Sequence, residues 1–369
     1  MHVQVDQKEL NLALNIVSKA VNNNNTLPIL NNLLLKTENQ SLVLSATNLE
    51  IAITLPIEAQ IIQEGATTVP AKLLQSYISL LKPELLDLRL EENNQLTVQS
   101  SKSETQINTI DFNDYPSLPH IEESEPININ SKELVKALNY TSFACSLNTT
   151  QPVLSGVYLN YTNKNLTFAA TDSYRLSEYK MEVESALNKD ITAIVPQKAM
   201  QELSRIIQAV DPNEIKIFLS KDQISFEVEN VQILSRLIDG KYPEYHKILP
   251  KELKSQTRVL KSELNLALKR VNLFAKESNN SIHIDIDSEK HIMVVKSDQT
   301  KVGQELSEIS VSIEGPTSSI SINSVYLSEL LNVLQSDELN LLINEKTTPI
   351  QVTEPENPNF LYIIMPLRV

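Results

Sequence analysis

Lys8-Glu9-Leu10-Asn11-Leu12-Ala13-Leu14 returns as Lys132-Glu133-Leu134-Val135-Lys136-Ala137-Leu138 and again as Ser262-Glu263-Leu264-Asn265-Leu266-Ala267-Leu268. The leucines Leu10, Leu134 and Leu264 are 124 and 130 residues apart in a chain of 369, near one third of its length each time. In each copy Leu, Ala and Leu fall at i, i+3 and i+4, and Val17, Thr141 or Val271 follows at i+7. That spacing is one stripe of an amphipathic helix. Solenoid units repeat every 20–50 residues or so, so a period this long marks whole domains.

A second helix recurs later in each copy. Its apolar face reads Leu74, Tyr77, Ile78, Leu81, then Met200, Leu203, Ser204, Ile207, then Leu327, Leu330, Leu331, Leu334. Pro70 and Pro196 stand just before two of these helices, where a missing N–H costs little. Alternating or apolar runs follow the helices, such as Leu42-Val43-Leu44, Asp87-Leu88-Arg89-Leu90, Ile215-Lys216-Ile217-Phe218-Leu219 and Leu339-Asn340-Leu341-Leu342-Ile343. These predict antiparallel strands. The fold class is therefore α+β, in three repeated domains of about 120 residues. Their expected bounds are 1–123, 126–249 and 251–369, with joints at Pro119 to Pro126 and Leu249 to Lys254.

Composition narrows the chemistry. Hydrophobic residues are 41% of the chain and aromatics 5%, enough aliphatic material for several modest cores. The single cysteine, Cys145, excludes an intramolecular disulfide and fits a reducing cytoplasm. Met1-His2-Val3-Gln4-Val5-Asp6 does not open like a secretory signal. The longest apolar run, Phe360 to Pro366, is too short to span a bilayer, so no membrane partner is expected. None of Gly65, Gly156, Gly240, Gly303 and Gly315 belongs to a P-loop or a GxGxxG turn, so no nucleotide cofactor is expected.

The net charge of −14 argues against tight non-specific binding of nucleic acid by the chain as a whole. The charge is segregated. The predicted helices carry ten basic residues (Lys8, Lys19, Lys72, Lys132, Lys136, Lys198, Arg205, Lys261, Lys269, Arg270) against Glu9, Glu133, Glu202, Glu263 and Glu329. Their net is +5, which leaves −19 on the rest. Mixed Lys and Glu is ordinary on a solvated helix face, but six equivalent helices able to line one surface favour a surface meant for a polyanion. Without aromatic partners such contacts give weak, salt-sensitive, sequence-independent attraction to phosphates. A protein that holds DNA so loosely needs another way to stay on it, and closure around the duplex is one solution.

Five segments occur in order along this repeat: Thr26-Leu27-Pro28-Ile29-Leu30 with Asn32-Leu33-Leu34-Leu35, Ala66-Thr67-Thr68-Val69-Pro70-Ala71, Ala170-Thr171-Asp172-Ser173-Tyr174-Arg175-Leu176, Leu237-Ile238-Asp239-Gly240-Lys241-Tyr242-Pro243-Glu244-Tyr245, and the ending Tyr362-Ile363-Ile364-Met365-Pro366-Leu367-Arg368-Val369. Together they resemble the β subunit of bacterial DNA polymerase III, the β sliding clamp family. The resemblance covers the whole chain. It implies three DNA-clamp domains and a head-to-tail homodimeric ring, helices on the inner face and antiparallel sheets on the outer. It implies a cytoplasmic, non-catalytic processivity factor in DNA replication that encircles double-stranded DNA without sequence preference, with no cofactor and no metal. The implied partners are the replicative polymerase alpha subunit, the clamp loader complex, and other polymerases and repair proteins that insert a linear peptide motif.

Site residues follow from the same resemblance. The partner-peptide pocket maps to Leu154, Thr171, Ser173, Tyr174, Arg175, Leu176, Pro243, Lys247, Ile248, Ile363, Met365, Pro366, Leu367 and Arg368. The aliphatic members suit a peptide's Leu or Phe anchors, Met suits a pocket with several partners, and Arg175 and Arg368 are candidates to bond the peptide. DNA-facing candidates are Lys72, Lys136, Lys198, Arg205 and Lys241. Leu273 and Phe274 are candidates for the dimer interface, against the strand near Lys102 to Ile107 of the other copy. The sequence departs from the family at Asn24 and Gln151, where many members carry an Arg linked to DNA contact.

Three rival readings exist. A clamp-like scaffold used mainly in repair or regulation would present the same pocket. His283, Asp285 and Asp287 alternate and so share one strand face, a pattern that would suit a divalent metal but is also the ordinary solvated face of an amphipathic strand. Cys145 has no adjacent His and no G-x-S-x-G occurs, so there is no catalytic constellation. A ligand-binding protein would want an aromatic-lined cavity, and no run of the sequence predicts one.

Overall fold

The computed structural model describes residues 1–21, 27–118, 121, 125–148, 150–184, 190–250 and 254–367. Both predicted joints fall partly outside these residues. Among the described residues there are six α-helices: α1 (Gln7–Val17), α2 (Ala71–Leu80), α3 (Ser131–Thr141), α4 (Gln197–Val210), α5 (Lys261–Ala275) and α6 (Ser324–Val333). In α1, α3 and α5 the predicted stripe is the buried one: Leu10, Ala13, Leu14 and Val17; Leu134, Ala137, Leu138 and Thr141; Leu264, Ala267, Leu268 and Val271. Thr141 tolerates burial because its hydroxyl donates to the Ala137 carbonyl at 2.7 Å.

The repeat extends to single backbone bonds. The N–H groups of Gln7, Ser131 and Lys261 donate to the carbonyls of Glu84, Asn213 and Asp337 at 3.0, 3.1 and 2.8 Å. Each acceptor stands just before the strand that follows the second helix of its repeat. Orphan N–H groups of α1 and α3 are capped by Asp6, which accepts from Lys8 at 2.8 Å, and by Asn130, which accepts from Lys132 at 3.1 Å. Two-residue hairpins recur as well, at Asn39-Gln40 and Asn163-Lys164, with positive φ at both positions of each.

The second helices depart slightly from expectation. Leu74 and Ile78 of α2 are buried, but Tyr77 is only half-buried, Leu81 lies past the helix end, and Leu73 and Leu80 are exposed. Met200, Leu203, Ser204 and Ile207 of α4 are all buried, as are Leu327, Leu330 and Leu331 of α6. Lys19 belongs to a 3-10 turn, Ser18–Ala20, so the α-helices carry +4 rather than +5.

The chain forms two compact units, and the middle repeat is divided between them. The unit built on residues 1–132 and 198–237 holds an eight-stranded sheet. Its order is Ile127–Asn130, Glu214–Leu219, Gln223–Val228, Val231–Arg236, Ile51–Glu58, Ser41–Thr47, Asn32–Glu38, Ala66–Pro70. A five-stranded sheet accompanies it: Gln60–Gln63, His2–Asp6, Leu85–Leu90, Gln95–Gln99, Glu104–Asn108. The other unit holds a nine-stranded sheet: Ile191–Pro196, Gly156–Thr162, Asn165–Thr171, Arg175–Glu182, Asn357–Ile364, Ile350–Glu354, Glu338–Leu342, Gln256–Leu260, Ser312–Glu314. Its four-stranded sheet runs Leu306–Ser310, Ile292–Ser297, Ser281–Asp287, Ser318–Asn323. Every named pair that joins these strands is antiparallel.

A buried carboxylate ties α3 to the last repeat. Glu354 accepts from the Tyr140 hydroxyl at 2.8 Å, the Gln335 and Ser336 N–H groups at 2.9 and 3.0 Å, and the Asn357 amide at 2.9 Å. Burial alone would raise its pKa, but these donors outweigh it and hold the pKa below the ordinary glutamate value. Its contribution is therefore full at neutral pH and is lost as pH falls through the ordinary glutamate range and below. Glu354→Ala should lower unfolding free energy by about 3 kcal/mol at pH 7, and urea unfolding at pH 7 and pH 4 should show the gap narrowing in acid. Equal urea midpoints at pH 7 would show that the four bonds contribute nothing net.

Candidate functional site

The turn Thr171 to Arg175 is built from side-chain-to-backbone bonds. The Thr171 hydroxyl donates to the Arg175 carbonyl and accepts from the Ser173 N–H at 3.1 Å. Asp172 accepts from the N–H groups of Tyr174 and Arg175 at 2.9 and 3.0 Å. This winding sets Ser173 at φ +79° and leaves Ser173 and Tyr174 exposed.

Arg175 turns inward from the exposed part of the turn. Its Nε donates to Asp172 at 3.0 Å, Nη1 to Glu329, and Nη2 to the Phe143 carbonyl at 2.9 Å. The guanidinium also lies over the Tyr326 ring, 4.9 Å from its centroid, and the side chain is 8% exposed. Burial works against its charge, but Tyr362, Glu329 and Asp172 outweigh it and keep the pKa above the ordinary arginine value. Each of its three nitrogens thus already donates within the fold, and Arg175 frames the site from beneath.

Beside this turn, the strand Arg175–Glu182 pairs with Asn357–Ile364, bringing Leu176 opposite Ile363. These two join Ala169, Ile194, Tyr242 and Tyr245 in one buried cluster, with Val153, Tyr158, Ile238, Leu249 and Leu361 packed around it. Tyr158 stacks on Tyr242 at 4.8 Å between centroids, and Tyr245 donates to buried Glu178 at 2.6 Å. Those aromatics fix the loop that carries Pro243, Lys247 and Ile248, all exposed. Gly240 permits the loop's path: its φ is +135°, and an added Cβ would stand 2.5 Å from Val153 Cγ1. Lys241 and Lys247 both pair with Glu244, whose pKa they lower.

The chain's end lies along the same place. Met365 N–H donates to the Tyr174 carbonyl and Leu367 N–H to the Ser321 carbonyl, both at 2.8 Å. Met365, Pro366 and Leu367 are half-buried, while Leu154, Thr171, Leu176 and Ile363 are buried and form the floor. Arg368 and Asn24 lie outside the described residues. The predicted pocket residues are thus brought together in one unit. Tyr242 and Tyr245 were missed as its supports, although two tyrosines flanking Pro243 at i and i+3 were a visible signal.

The other candidates sit as follows. Lys72 and Lys198 are exposed in the first turns of α2 and α4. Lys136 is half-buried, its Nζ 5.8 Å above the Tyr179 ring, and Arg205 pairs with Glu202 at 2.7 Å. Leu273 is 69% exposed on α5, and Phe274 is half-buried beside Gly303. Lys102 is exposed, and Ile107 is buried in its own sheet while Glu104, Gln106 and Asn108 on the same strand are exposed. The alternating acids do not converge on a metal. His283 bonds Ser321 and Asp298 at 2.7 and 2.6 Å, Asp285 holds Lys296 at 2.7 Å, and Asp287 caps the turn at Glu289 and Lys290. Among the described residues no trio of His, Cys, Asp or Glu is placed to hold a metal ion.

Comparison with known proteins identifies the family and the fold. The family described as DNA polymerase III beta subunit matches in three parts: its N-terminal domain over residues 1–119, its central domain over 128–244 and its C-terminal domain over 246–368. A protein named beta sliding clamp from Synechococcus elongatus is 32% identical, covering 98% of both chains. One of the same name from Staphylococcus epidermidis is 28% identical over 96% of each. The crystal structure of the DNA polymerase sliding clamp from Bacillus subtilis superposes with a TM-score of 0.95 at 26% identity, covering 100% of this chain and 99% of that one. The DNA polymerase III subunit beta from Pseudomonas aeruginosa gives 0.95 at 26%, covering 100% of both.

Arg175 is the site's electrostatic keystone. Removing it leaves Asp172 and Glu329 without their shared cation. Arg175→Ala should cost about 3 kcal/mol of unfolding free energy, the lower end for a broken buried pair because Glu329 is partly solvated. Urea denaturation measures this directly. A midpoint equal to that of the unaltered chain would show instead that water replaces the guanidinium at no cost.

Proposed function

This chain belongs to the family of the bacterial DNA polymerase III beta subunit and is a DNA sliding clamp; from that premise we propose how it closes, what it holds and where its partners bind. The observation that carries the reading is the full-length, in-order match of three family domains on a chain whose helices and strands repeat three times. The three domains extend over 1–123, 126–249 and 251–369, with cuts in stretches between helices and strands.

The clamp is a head-to-tail homodimer. The pairing between repeats supports this. Ile51–Glu58 of the first repeat pairs with Val231–Arg236 of the second, and Arg175–Glu182 of the second pairs with Asn357–Ile364 of the third. The same rule continued gives Leu306–Ser310 of the third repeat a partner equivalent to Glu104–Asn108 of the first. Both are outer strands of their sheets, so a second copy satisfies both edges at once. Exposed Leu273 and Leu306, with Phe274, supply apolar cover on one side, and exposed Leu73 and Leu80 with Lys102 flank the other.

Duplex DNA passes through the ring, with Lys72, Lys136, Lys198, Arg205 and Lys241 as phosphate-facing residues. The replicative polymerase alpha subunit, the clamp loader and repair polymerases insert a peptide over Leu154, Leu176 and Ile363. Ser173, Tyr174, Pro243, Lys247, Ile248, Met365, Pro366 and Leu367 rim that pocket, Thr171 belongs to its floor, Arg175 frames it, and Arg368 is assigned to it from the family's pattern alone. The clamp performs no chemistry and works in the cytoplasm. Cys145, its one thiol, is buried, and burial pushes its pKa up to about 12, which disfavours a nucleophilic role. No helix among the described residues is long and apolar enough to cross a membrane.

Two measurements test the proposal. Loaded onto nicked circular DNA by the cognate clamp loader with ATP, the protein should stay on circles in high salt and leave once a restriction enzyme linearises them. Equal loss from both forms would mean charge-based binding and end the ring reading. Deleting Met365 to Val369 should leave the dimer folded yet abolish binding of both the polymerase and the clamp loader; unchanged polymerase affinity would show that the pocket lies elsewhere.

A further inference from the structure

The turn at the partner site has a twin at Thr47 to Ile51. The Thr47 hydroxyl donates to the Ile51 carbonyl at 2.9 Å and accepts from Leu49 N–H at 3.0 Å. Asn48 accepts from the N–H groups of Glu50 and Ile51 at 3.0 and 2.8 Å, as Asp172 does from Tyr174 and Arg175. Leu49 and Ser173 share the left-handed conformation, φ +74° and +79°. Ile51 pairs with Ser235 as Arg175 pairs with Ile364. Arg236 N–H then donates to the Glu50 carbonyl at 2.9 Å, as Met365 N–H does to Tyr174 at 2.8 Å. A Tyr-Pro loop adjoins each turn, Tyr115-Pro116 in one case and Tyr242-Pro243 in the other; Tyr115 bonds the Thr47 N–H and Tyr242 the Ala169 carbonyl.

This register equates Ala52 with Leu176, Leu234 with Ile363, Leu118 with Tyr245, and Ile121 with Ile248. At the partner site Ile248 is at the rim, 41% exposed, and does not cover the floor. At the twin, Ile121 is 8% exposed and buried in one cluster with Ala52 and Leu234, with Leu118 and Phe218 packed against it. The floor residue is Ala there and Leu at the partner site, and the smaller side chain leaves room for Ile121. Two sockets of one backbone design thus differ in what fills them.

We infer that the first socket is a second peptide-binding site that the chain keeps closed with its own Leu118 and Ile121, so that each protomer offers partners one open socket instead of two. Its ligand, once the plug is removed, is a short peptide with a Leu or Phe anchor. The inference rests on the proposed pocket being the partner site. An intramolecular plug is present at high effective concentration and excludes free peptide without any gain in intrinsic affinity.

The test counts sites on the full-length dimer by native mass spectrometry and isothermal titration. The probe is a synthetic peptide copied from the clamp-binding segment of the cognate polymerase alpha subunit. The unaltered chain should bind one peptide per protomer, and the chain lacking residues 365–369 none. Leu118→Ser with Ile121→Ser should bind two, and that double variant without residues 365–369 should bind one. Ile121→Ala, which removes part of the plug and adds no polar group, should expose a weaker second site and decides the matter if the double variant does not fold. Folded plug variants that bind one peptide, and none after the truncation, would overturn the inference. A truncated chain that still binds one peptide would instead overturn the pocket assignment.

Discussion

Antiparallel backbone pairing between successive repeats is the constraint on which the rest depends. The strand after the Thr-Asx turn of one repeat takes the last strand of the next as its neighbour, at Ile51–Glu58 with Val231–Arg236 and at Arg175–Glu182 with Asn357–Ile364. A slip of one residue would move every side chain of these strands to the opposite face of the sheet. Register is therefore fixed by the alternation Ile51, Ile53, Leu55 and its partners, and the turn that precedes each strand is fixed with it. Any open series of such repeats ends in two complementary edges. Three repeats cannot satisfy both within one chain, and the strands Leu306–Ser310 and Glu104–Asn108 carry that requirement outward.

Because the ladder sets the backbone, the two turn-and-loop frames are nearly identical, and function is written in the side chains that fill them. One frame has Leu176, Ile363 and an outward Ile248; the other has Ala52, Leu234 and an inward Ile121. Arg175 illustrates the same separation. Its position in the motif suggests a ligand contact, yet each of its three nitrogens already donates to a partner within the fold. Its equivalent in the other frame is Ile51, buried with no polar demands at all. The frame tolerates either solution as long as the space beneath the turn is filled and satisfied.

How much of this was legible in the sequence follows from how local each signal is. Helix phase was legible because a stripe of Leu, Ala and Leu needs only eleven residues to declare itself, and α1, α3 and α5 bury the predicted side chains. Helix ends were less so: Lys19 and Leu81 continue the helical period but lie beyond the last α-helical turn. The pocket's members were legible only through resemblance, since Leu154, Leu176 and Ile363 come from separate strands and turns. The burial of Ile107 and the occupied state of Arg175 depend on partners 11 to 154 residues away in sequence, Leu96 for the first and Glu329 for the second. The twin turn was hidden because Ala-Thr is all that Ala46 to Ile51 shares with Ala170 to Arg175; the likeness lies in hydrogen bonds and a positive φ.

The basic residues offer a last piece of physical reasoning. Lys8, Lys72, Lys132 and Lys198 each occupy the second position of a helix, where the macrodipole presents its positive end. A cation there is unfavourable by roughly 0.3–1 kcal/mol. In α1 and α3 an adjacent Glu, Glu9 or Glu133, offsets it. In α2 and α4 the first turn holds no acid. Pro70 and Pro196 also stand immediately before these two helices, so neither has a side-chain oxygen cap at that position. Helix stability alone would select Asp or Ser at such places. Lys72 and Lys198 are thus set against the local electrostatics, at helix starts whose unpaired N–H groups already favour an anion. An external polyanion reverses the sign of that conflict, because the lysine and the dipole then attract the same phosphate. The attraction is strongest for the backbone charge and indifferent to the base, which is the requirement for a protein that must remain on DNA and still move along it.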